Sequence, residues 1–409
     1  MNKDLKVVAK NFIYILTFKG ANVFIPLITM PYLIKTIGIE KFGLLAFSLS
    51  FAAYFGAVIQ YGFNVSATRE VARNREHKKY LNIIFTNTFN ASLILSFICT
   101  LFYIVLVFIV PDFNLDKLVY FSVFAFIVIN GIYPSWLFQG IEKIYLVAQI
   151  NLITRVFYVF SLFVFVNDTS DYIYVYLLNS IFSFFSLIVS LLFIKFKFKI
   201  RHVGFCLRSI LNIYRSGFPA FLTQLAPNLY NNTAIFLLGV NSSHIVVGSF
   251  NAASSIVEVF ITVGRVASTA IYPYLCRNDA QYRFFSILML CVGLILSTIL
   301  IFGSYPISNF LFDTNIVEIS FNIKMLSIGV FFAFAFIAFN TNYLMLNGKD
   351  KIAANIVVIT SILSFVASVV LIPKYGFIAA IIVIVLTRGV MAFSSYIYYK
   401  IHKNSRGVF

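Results

Sequence analysis

Five basic side chains interrupt the apolar stretches of this 409-residue sequence: Lys19, Arg155, Arg265, Lys324 and Arg388. A single acidic residue, Glu258, lies in such a stretch, so the apolar stretches contain one carboxylate and five cations. A cation near the centre of a bilayer costs about 2.5–3.5 kcal/mol unless it is hydrated or paired. The excess of positive charge therefore predicts a water-filled site for an anion. Phosphate or pyrophosphate fits best, because Lys binds phosphate as a point charge and Arg binds it as a bidentate fork.

The five cations differ in depth. Lys19, Arg155 and Arg388 lie eight or more residues from either end of their apolar stretch. Arg265 and Lys324 lie within about two helical turns of an end, from which a long side chain can reach the bilayer surface. For any one deep cation the alternative is a structural role, in which helix-end carbonyls cap it.

Two further groups of polar residues lie in the apolar stretches. Glu258 is seven residues before Arg265 and shares its helix face, either as a salt-bridged structural acid, which we favour, or as a carboxylate that couples to a proton or sodium gradient. No other cofactor is predicted. The second group consists of amides: Asn22, Gln60, Asn64, Gln224, Asn228, Asn231 and Asn232. Asn228, Asn231 and Asn232 lie at helical spacing on one face. Such amides can bind sugar hydroxyls or, equally well, form hydrogen bonds between neighbouring helices.

The residues that could support enzyme or metal chemistry are scattered. The four histidines form no HxxxH or HExxH pair, and the four cysteines are isolated from one another. We expect free thiols, no metal site and no catalytic residues.

Long apolar helices must position these polar groups, because 61% of the residues are hydrophobic and only 11% are charged. A spanning helix needs roughly 20 apolar residues. Twelve stretches reach that length: 11–36, 42–64, 81–109, 117–138, 146–166, 172–194, 217–239, 246–271, 284–305, 320–346, 352–372 and 377–398. The sequence predicts an all-α integral membrane protein with about twelve transmembrane helices.

The distribution of basic residues predicts the orientation. With the N-terminus in the cytoplasm, 22 of the 31 Lys and Arg residues fall in inner connections and four in outer ones. This asymmetry follows the positive-inside rule and predicts that both termini are cytoplasmic. It also accounts for most of the net charge of +17, so a nucleic-acid partner is not predicted.

The longest inner connection, 195–216, divides the twelve stretches into two sets of six. We predict an N-terminal lobe at 1–200, a basic cytoplasmic linker at 201–216 and a C-terminal lobe at 217–409 with a basic tail. Six spans in each lobe give both lobes one orientation, as in a parallel pseudo-repeat. The linker's basic residues could bind anionic lipid headgroups, but we favour the interpretation that the linker only connects the two lobes. Prolines in the first span of each half predict bends, which suit either a rocking molecule or static packing.

Four segments resemble bacterial polysaccharide flippases of the O-antigen (Wzx) type, within the multidrug/oligosaccharidyl-lipid/polysaccharide exporter superfamily. They are 31–44 (PYLIKTIGIEKFGL), 67–73 (ATREVAR), 134–143 (PSWLFQGIEK) and 346–351 (LNGKDK). The first and third are the most specific. One departure concerns Arg388, which lies where the family often has an acidic residue, so a coupling mechanism does not carry over.

The resemblance implies two six-helix lobes around a central cationic cavity in the bacterial inner membrane. Such a protein carries an undecaprenyl-pyrophosphate-linked oligosaccharide, for O-antigen or a similar surface polysaccharide, from the inner to the outer leaflet by alternating access. The substrate-binding candidates are then Lys19, Asn22, Arg155, Asn228, Asn231, Arg265 and Arg388. Partners would be membrane lipids and the pathway's polymerase and chain-length regulator. The alternatives are a multidrug or metabolite exporter, which would favour buried carboxylates, and a polysaccharide polymerase, which would need a long outer loop.

Overall fold

The computed structural model describes residues 3–113, 116–204, 206–276 and 281–406. The side chains of 3–24, 112, 227, 273 and 404–406 lie outside this description. Twelve α-helices make up most of the described chain: α1 (Lys3–Gln60), α2 (Phe63–Arg73), α3 (Lys78–Ile109), α4 (Lys117–Ile132), α5 (Ser135–Gly140), α6 (Ile144–Phe165), α7 (Tyr172–Leu192), α8 (Leu207–Asn241), α9 (His244–Leu275), α10 (Tyr282–Leu311), α11 (Ile316–Phe336) and α12 (Asp350–Arg406). Short π-helical segments, Phe193–Lys197 and Ile337–Met345, extend α7 and α11.

The two longest helices each contain two predicted spans. α1 departs from helical geometry only at Gly38 (φ 78°), and α12 only at Gly376 (φ 61°). A positive φ is strained for other residues, so glycine is suited to both kinks. The sequence predicts connecting loops at 37–41 and 373–376, and the structure instead has a single non-helical residue in each.

Nine helical stretches in the described part of the chain are long and apolar enough to cross a membrane. Many of their large apolar side chains face outward, and Phe160, Phe302 and Phe310 are each at least 68% exposed. Such apolar surfaces are suited to lipid. A helix also satisfies its own backbone hydrogen bonds where no water is present. The predicted all-α, multi-pass membrane fold is confirmed, whereas the count of twelve spans stays a prediction.

The residues pack into two units, one formed by 1–46 with 229–409 and the other by 47–228. The lobe boundaries at 200 and 217 remain a prediction.

Two of the resembling segments pack together in the 47–228 unit. Thr68 of α2 donates a hydrogen bond to the carbonyl of Trp136 in α5 (3.2 Å), and Ser135 donates to Asn64 Oδ1 (2.9 Å). Gly140 permits this approach, because a Cβ at position 140 would lie 2.5 Å from Val71. Trp136 is 3% exposed within the resulting apolar cluster.

A polar stripe on α3 holds the segment that follows α7. Asn82, Thr86 and Asn90 recur every four residues, so they lie on one helix face. Asn82 Oδ1 accepts from the backbone N–H of Arg201 (2.9 Å), and Thr86 Oγ1 accepts from that of Val203 (2.8 Å). Asn90 also bonds to the His202 ring (3.0 Å). The start of the predicted linker is therefore fixed along α3.

In the unit of 1–46 and 229–409, α1 and α9 approach closely at two glycines. A Cβ on Gly43 would lie 1.8 Å from the carbonyl oxygen of His244, and one on Gly248 would lie 2.4 Å from that of Ile39. No side chain fits at either position without backbone displacement. In the same unit, Lys35 and Asp313 form an exposed ion pair at 3.0 Å.

Candidate functional site

A cavity of about 350 Å³ lies within the unit of 1–46 and 229–409. Helices α1, α8, α9, α11 and α12 line it. Its polar lining consists of Asn231, Ser254, Ser255, Glu258 and Arg388. Pro26 of α1 also lines it, and proline frees a backbone carbonyl of the preceding turn from helical bonding.

Glu258 bridges two arginines. Its Oε1 lies 2.6 Å from Nη1 of Arg265, and its Oε2 lies 3.6 Å from Nη2 of Arg388. The first separation is that of a short charge-assisted hydrogen bond, whereas the second is too long for one. The three side chains together carry one net positive charge.

Arg388 is the most buried member of this cluster. Its side chain is 13% exposed, compared with 39% for Glu258 and 51% for Arg265. The Nη1 atom of Arg388 is buried and has no hydrogen-bond partner among the described residues. It packs against Gly329 of α11, where a Cβ would lie 3.1 Å from Nη1. A buried guanidinium nitrogen without a partner is costly, so this position favours an anionic ligand.

Helical periodicity explains the acidic side of the cavity. Ser254 precedes Glu258 by four residues on α9, which places both on one face, and Arg265 lies two turns farther along. The Ser254 hydroxyl oxygen is also buried without a hydrogen-bond partner in the described part of the chain. The cavity therefore offers an unpaired hydroxyl and an unpaired guanidinium N–H.

A second, smaller cavity of about 70 Å³ lies within the 47–228 unit, between α4, α6 and α7. Arg155 of α6 lines it, together with polar side chains: Asn130, Tyr133, Asn151, Thr154, Tyr158, Asn179, Ser183 and Ser186. No carboxylate is among the described residues that line it. This cavity therefore combines one cation with a neutral polar wall.

The structure distributes the predicted site residues over these two cavities. Arg388, Glu258 and Asn231 line the larger one, and Arg265 joins them through the ion pair with Glu258, as its i, i+7 spacing predicts. Arg155 lines the smaller one. Asn228 belongs to the 47–228 unit, where its amide donates to the Gln224 carbonyl of the same helix (3.4 Å). The side chains of Lys19 and Asn22 lie outside the described residues.

Several residues that line the two cavities are not predicted from the sequence. Ser254 and Ser255 are small and common, and Gly329 contributes only the absence of a side chain. The helical spacing of Asn151, Arg155 and Tyr158 on α6 is a signal that could have identified the wall of the smaller cavity. The residues that the structure describes contain no group of three or more His, Cys, Asp or Glu suited to a metal ion.

A family model for polysaccharide biosynthesis proteins matches residues 8–279, more than half of the chain. The chain belongs to this family. It is 29% identical over 312 residues to a candidate O-antigen transporter of Escherichia coli (strain K12), covering 74% of this chain and 75% of the relative. A candidate O-antigen transporter of Shigella dysenteriae is 26% identical over 304 residues, covering 72% and 75%.

The fold of this polysaccharide biosynthesis protein is similar to those of two solved transporters. One is the lipid II flippase MurJ in an inward closed conformation, with a TM-score of 0.73, 15% identity, and coverage of 94% of this chain and 87% of that chain. The other is an inward-facing multidrug resistance MATE family transporter of the MOP superfamily, with a TM-score of 0.66, 14% identity, and coverage of 93% and 95%. At these identities the likeness establishes the fold alone.

The family and the relatives confirm the predicted resemblance. The relatives named above are transporters rather than enzymes, which agrees with the prediction that the chain has no catalytic residues. Together with the apolar helices, they establish a multi-pass membrane protein whose family serves polysaccharide biosynthesis.

Proposed function

We propose that this protein is a flippase that moves undecaprenyl-pyrophosphate-linked oligosaccharide repeat units, of O-antigen or a similar surface polysaccharide, from the inner to the outer leaflet by alternating access. The protein lies in the bacterial inner membrane with both termini in the cytoplasm, as the distribution of Lys and Arg indicates. The pathway's polymerase and chain-length regulator are its proposed partners.

The observation that carries the proposal is the environment of Arg388. Its side chain is 13% exposed, its only described carboxylate partner is 3.6 Å away, and that carboxylate is shared with Arg265. A pyrophosphate diester carries two negative charges and many acceptor oxygens, so it would satisfy the unpaired Nη1 and compensate the net positive charge.

The size of the cavity indicates which part of the substrate it binds. A volume of about 350 Å³ corresponds to about twelve water molecules at roughly 30 Å³ each. It accommodates a pyrophosphate with an adjacent sugar, but not a whole repeat unit with its lipid. In the proposed cycle the lipid tail remains in the bilayer while the cavity binds the charged junction between lipid and glycan.

An exporter of cationic drugs is the alternative function. It would require a carboxylate free to attract a cation, and Glu258 is the acidic residue that lines the cavity. Two arginines already flank this carboxylate, one of them at 2.6 Å. The local charge therefore repels cations and favours the flippase.

Complementation of a deletion strain tests the proposal. Deleting the gene in its host should abolish surface polysaccharide and cause complete lipid-linked repeat units to accumulate on the inner leaflet. The wild-type gene should restore export, and Arg388→Gln should fail to do so at equal protein abundance in the membrane. Lys324→Gln is the matched control, because Lys324 is also an intramembrane cation of this unit but is exposed on α11.

Two outcomes would oppose the proposal. Unchanged surface polysaccharide in the deletion strain, with altered drug tolerance, would favour the exporter. Full export by Arg388→Gln would remove the assigned role of the cavity in substrate binding.

A further inference from the structure

The smaller cavity differs from the larger one in both size and chemistry. About 70 Å³ corresponds to roughly two water molecules, or the three heavy atoms of one carboxylate group. A single phosphate group, with five heavy atoms, exceeds this space. The cavity therefore suits a single small anionic group rather than the junction between lipid and glycan.

Arg155 provides the charge for such a group. It lies near the middle of α6, about 16 Å from either end, and therefore deep within the span. Among the described residues, no ion pair or hydrogen bond engages its guanidinium. A guanidinium presents parallel N–H donors that match a carboxylate bidentately.

The wall of the cavity adds donors and acceptors in fixed orientations. Ser186 donates to Asn151 Oδ1 (2.8 Å), which leaves the Asn151 Nδ2 group to donate to a ligand. Asn130 Nδ2 donates to the carbonyl of Phe126 (2.8 Å), which leaves its Oδ1 to accept. A carboxylate needs donors and a neighbouring hydroxyl needs an acceptor, and this wall offers both.

We propose that this cavity is a subsite for the carboxylate of an acidic sugar in the transported oligosaccharide. Arg155 binds the carboxylate, Asn151 donates to it, and Asn130 accepts from an adjacent sugar hydroxyl. The inference rests on the proposed flippase function and narrows its substrate to glycans that contain a sugar acid. It also gives the two cavities different tasks, pyrophosphate at Arg388 and carboxylate at Arg155.

Thermal unfolding of the purified protein in detergent tests this assignment with four probes: glucuronate, glucose, acetate and inorganic pyrophosphate. Glucuronate should raise the unfolding midpoint of the wild-type protein and of Arg388→Gln by about 2 °C or more near saturation. It should not raise that of Arg155→Gln. Glucose and acetate should have little effect, because each supplies only one of the two recognised groups.

Two further variants keep the test decisive if Arg155→Gln does not fold. Asn151→Asp places a carboxylate four residues before Arg155 on α6, where it would neutralise the guanidinium internally and abolish the glucuronate response. Arg155→Lys keeps the charge but loses the bidentate fork, so its response should be reduced rather than absent.

The remaining outcomes separate this subsite from the flippase itself. An equal response to glucuronate in wild type and Arg155→Gln would overturn the subsite, as would equal responses to acetate and glucuronate, which would indicate a simple anion site. Pyrophosphate should stabilise wild type and Arg155→Gln but not Arg388→Gln. If that pattern appears without a glucuronate response, the subsite is refuted while the pyrophosphate site stands.

Discussion

The Nη1 atom of Arg388 occupies space that exists because residue 329 is glycine. A Cβ at Gly329 would lie 3.1 Å from Nη1 and 3.2 Å from Cδ of Arg388. The buried guanidinium is thus positioned by α11, although α12 carries it. Gly329 is therefore a positioning residue for the proposed pyrophosphate site.

Gly329→Ala should displace the Arg388 guanidinium by a few tenths of an ångström. Because misplacement of a binding group by 1 Å can cost about a hundredfold, we expect export to slow by about three- to tenfold. The measurement is the rate at which surface polysaccharide reappears after induction, normalised to protein abundance. Gly389→Ala is the control, because its Cβ would make ordinary contacts of 3.6 Å or more with Phe332. Equal export rates in the two variants would contradict the positioning role.

Glu258 and Arg388 should be energetically coupled. Glu258→Gln leaves Arg388 buried without its carboxylate, and Arg388→Gln leaves Glu258 with only Arg265, so each single change should lower the unfolding midpoint. The double variant should lose less than the sum of the two, with a coupling energy of about 0.5–3 kcal/mol. Unfolding of all four proteins in one detergent completes the cycle. Strict additivity would mean that the 3.6 Å pair contributes nothing.

The contact of α1 with α9 at Gly43 should tolerate no side chain. In Gly43→Ala the new Cβ would collide with the His244 carbonyl oxygen at 1.8 Å, so the helices must separate. Overpacking of this kind costs about 1–3 kcal/mol or more, which should appear as a lower unfolding midpoint. Gly303→Ala serves as the control, because its Cβ would meet only Ile307 of the same helix, at 3.4 Å. A wild-type midpoint in Gly43→Ala would show that this contact is not a close-packed one.

Cys206 reports on the orientation of the linker. The thiol is exposed, and the hydrogen bond that Ser209 donates to its sulfur (3.2 Å) holds the pKa of Cys206 below its usual value. In a background with Cys99, Cys276 and Cys291 replaced by Ala, a membrane-impermeant maleimide should label Cys206 in inverted vesicles and not in intact cells. The thiolate reacts, so Ser209→Ala should move half-maximal labelling to higher pH. Labelling from outside intact cells would contradict the cytoplasmic linker.

The sequence predicts the helices well because lipid imposes a simple rule on composition. An apolar stretch of about 20 residues must form a helix, so most predicted spans match helices to within a few residues. The length of an apolar stretch does not specify its backbone conformation residue by residue. It cannot distinguish a loop at 37–41 from one glycine at φ 78°, because both interrupt an apolar run in the same way.

The site is predicted in part for a related reason. Charges in apolar stretches are conspicuous, so Arg388, Glu258 and Arg155 are identified by type and depth alone. Which of them share a cavity depends on contacts between helices distant in sequence. The ion pair of Glu258 with Arg265 is predictable from its spacing on one helix, whereas the approach of Arg388 to Glu258 joins α12 to α9 and requires the tertiary structure.

The shared carboxylate between two arginines has an electrical consequence for the proposed cycle. The empty cluster of Arg265, Glu258 and Arg388 carries a net charge of +1, and binding a doubly charged pyrophosphate diester changes it to −1. An inside-negative membrane potential favours outward movement of the loaded, negative state and inward return of the empty, positive state. Each elementary charge that crosses the full field gains about 2.3 kcal/mol per 100 mV. In the proposed cycle the membrane potential therefore favours both the outward step of the loaded state and the inward return of the empty state.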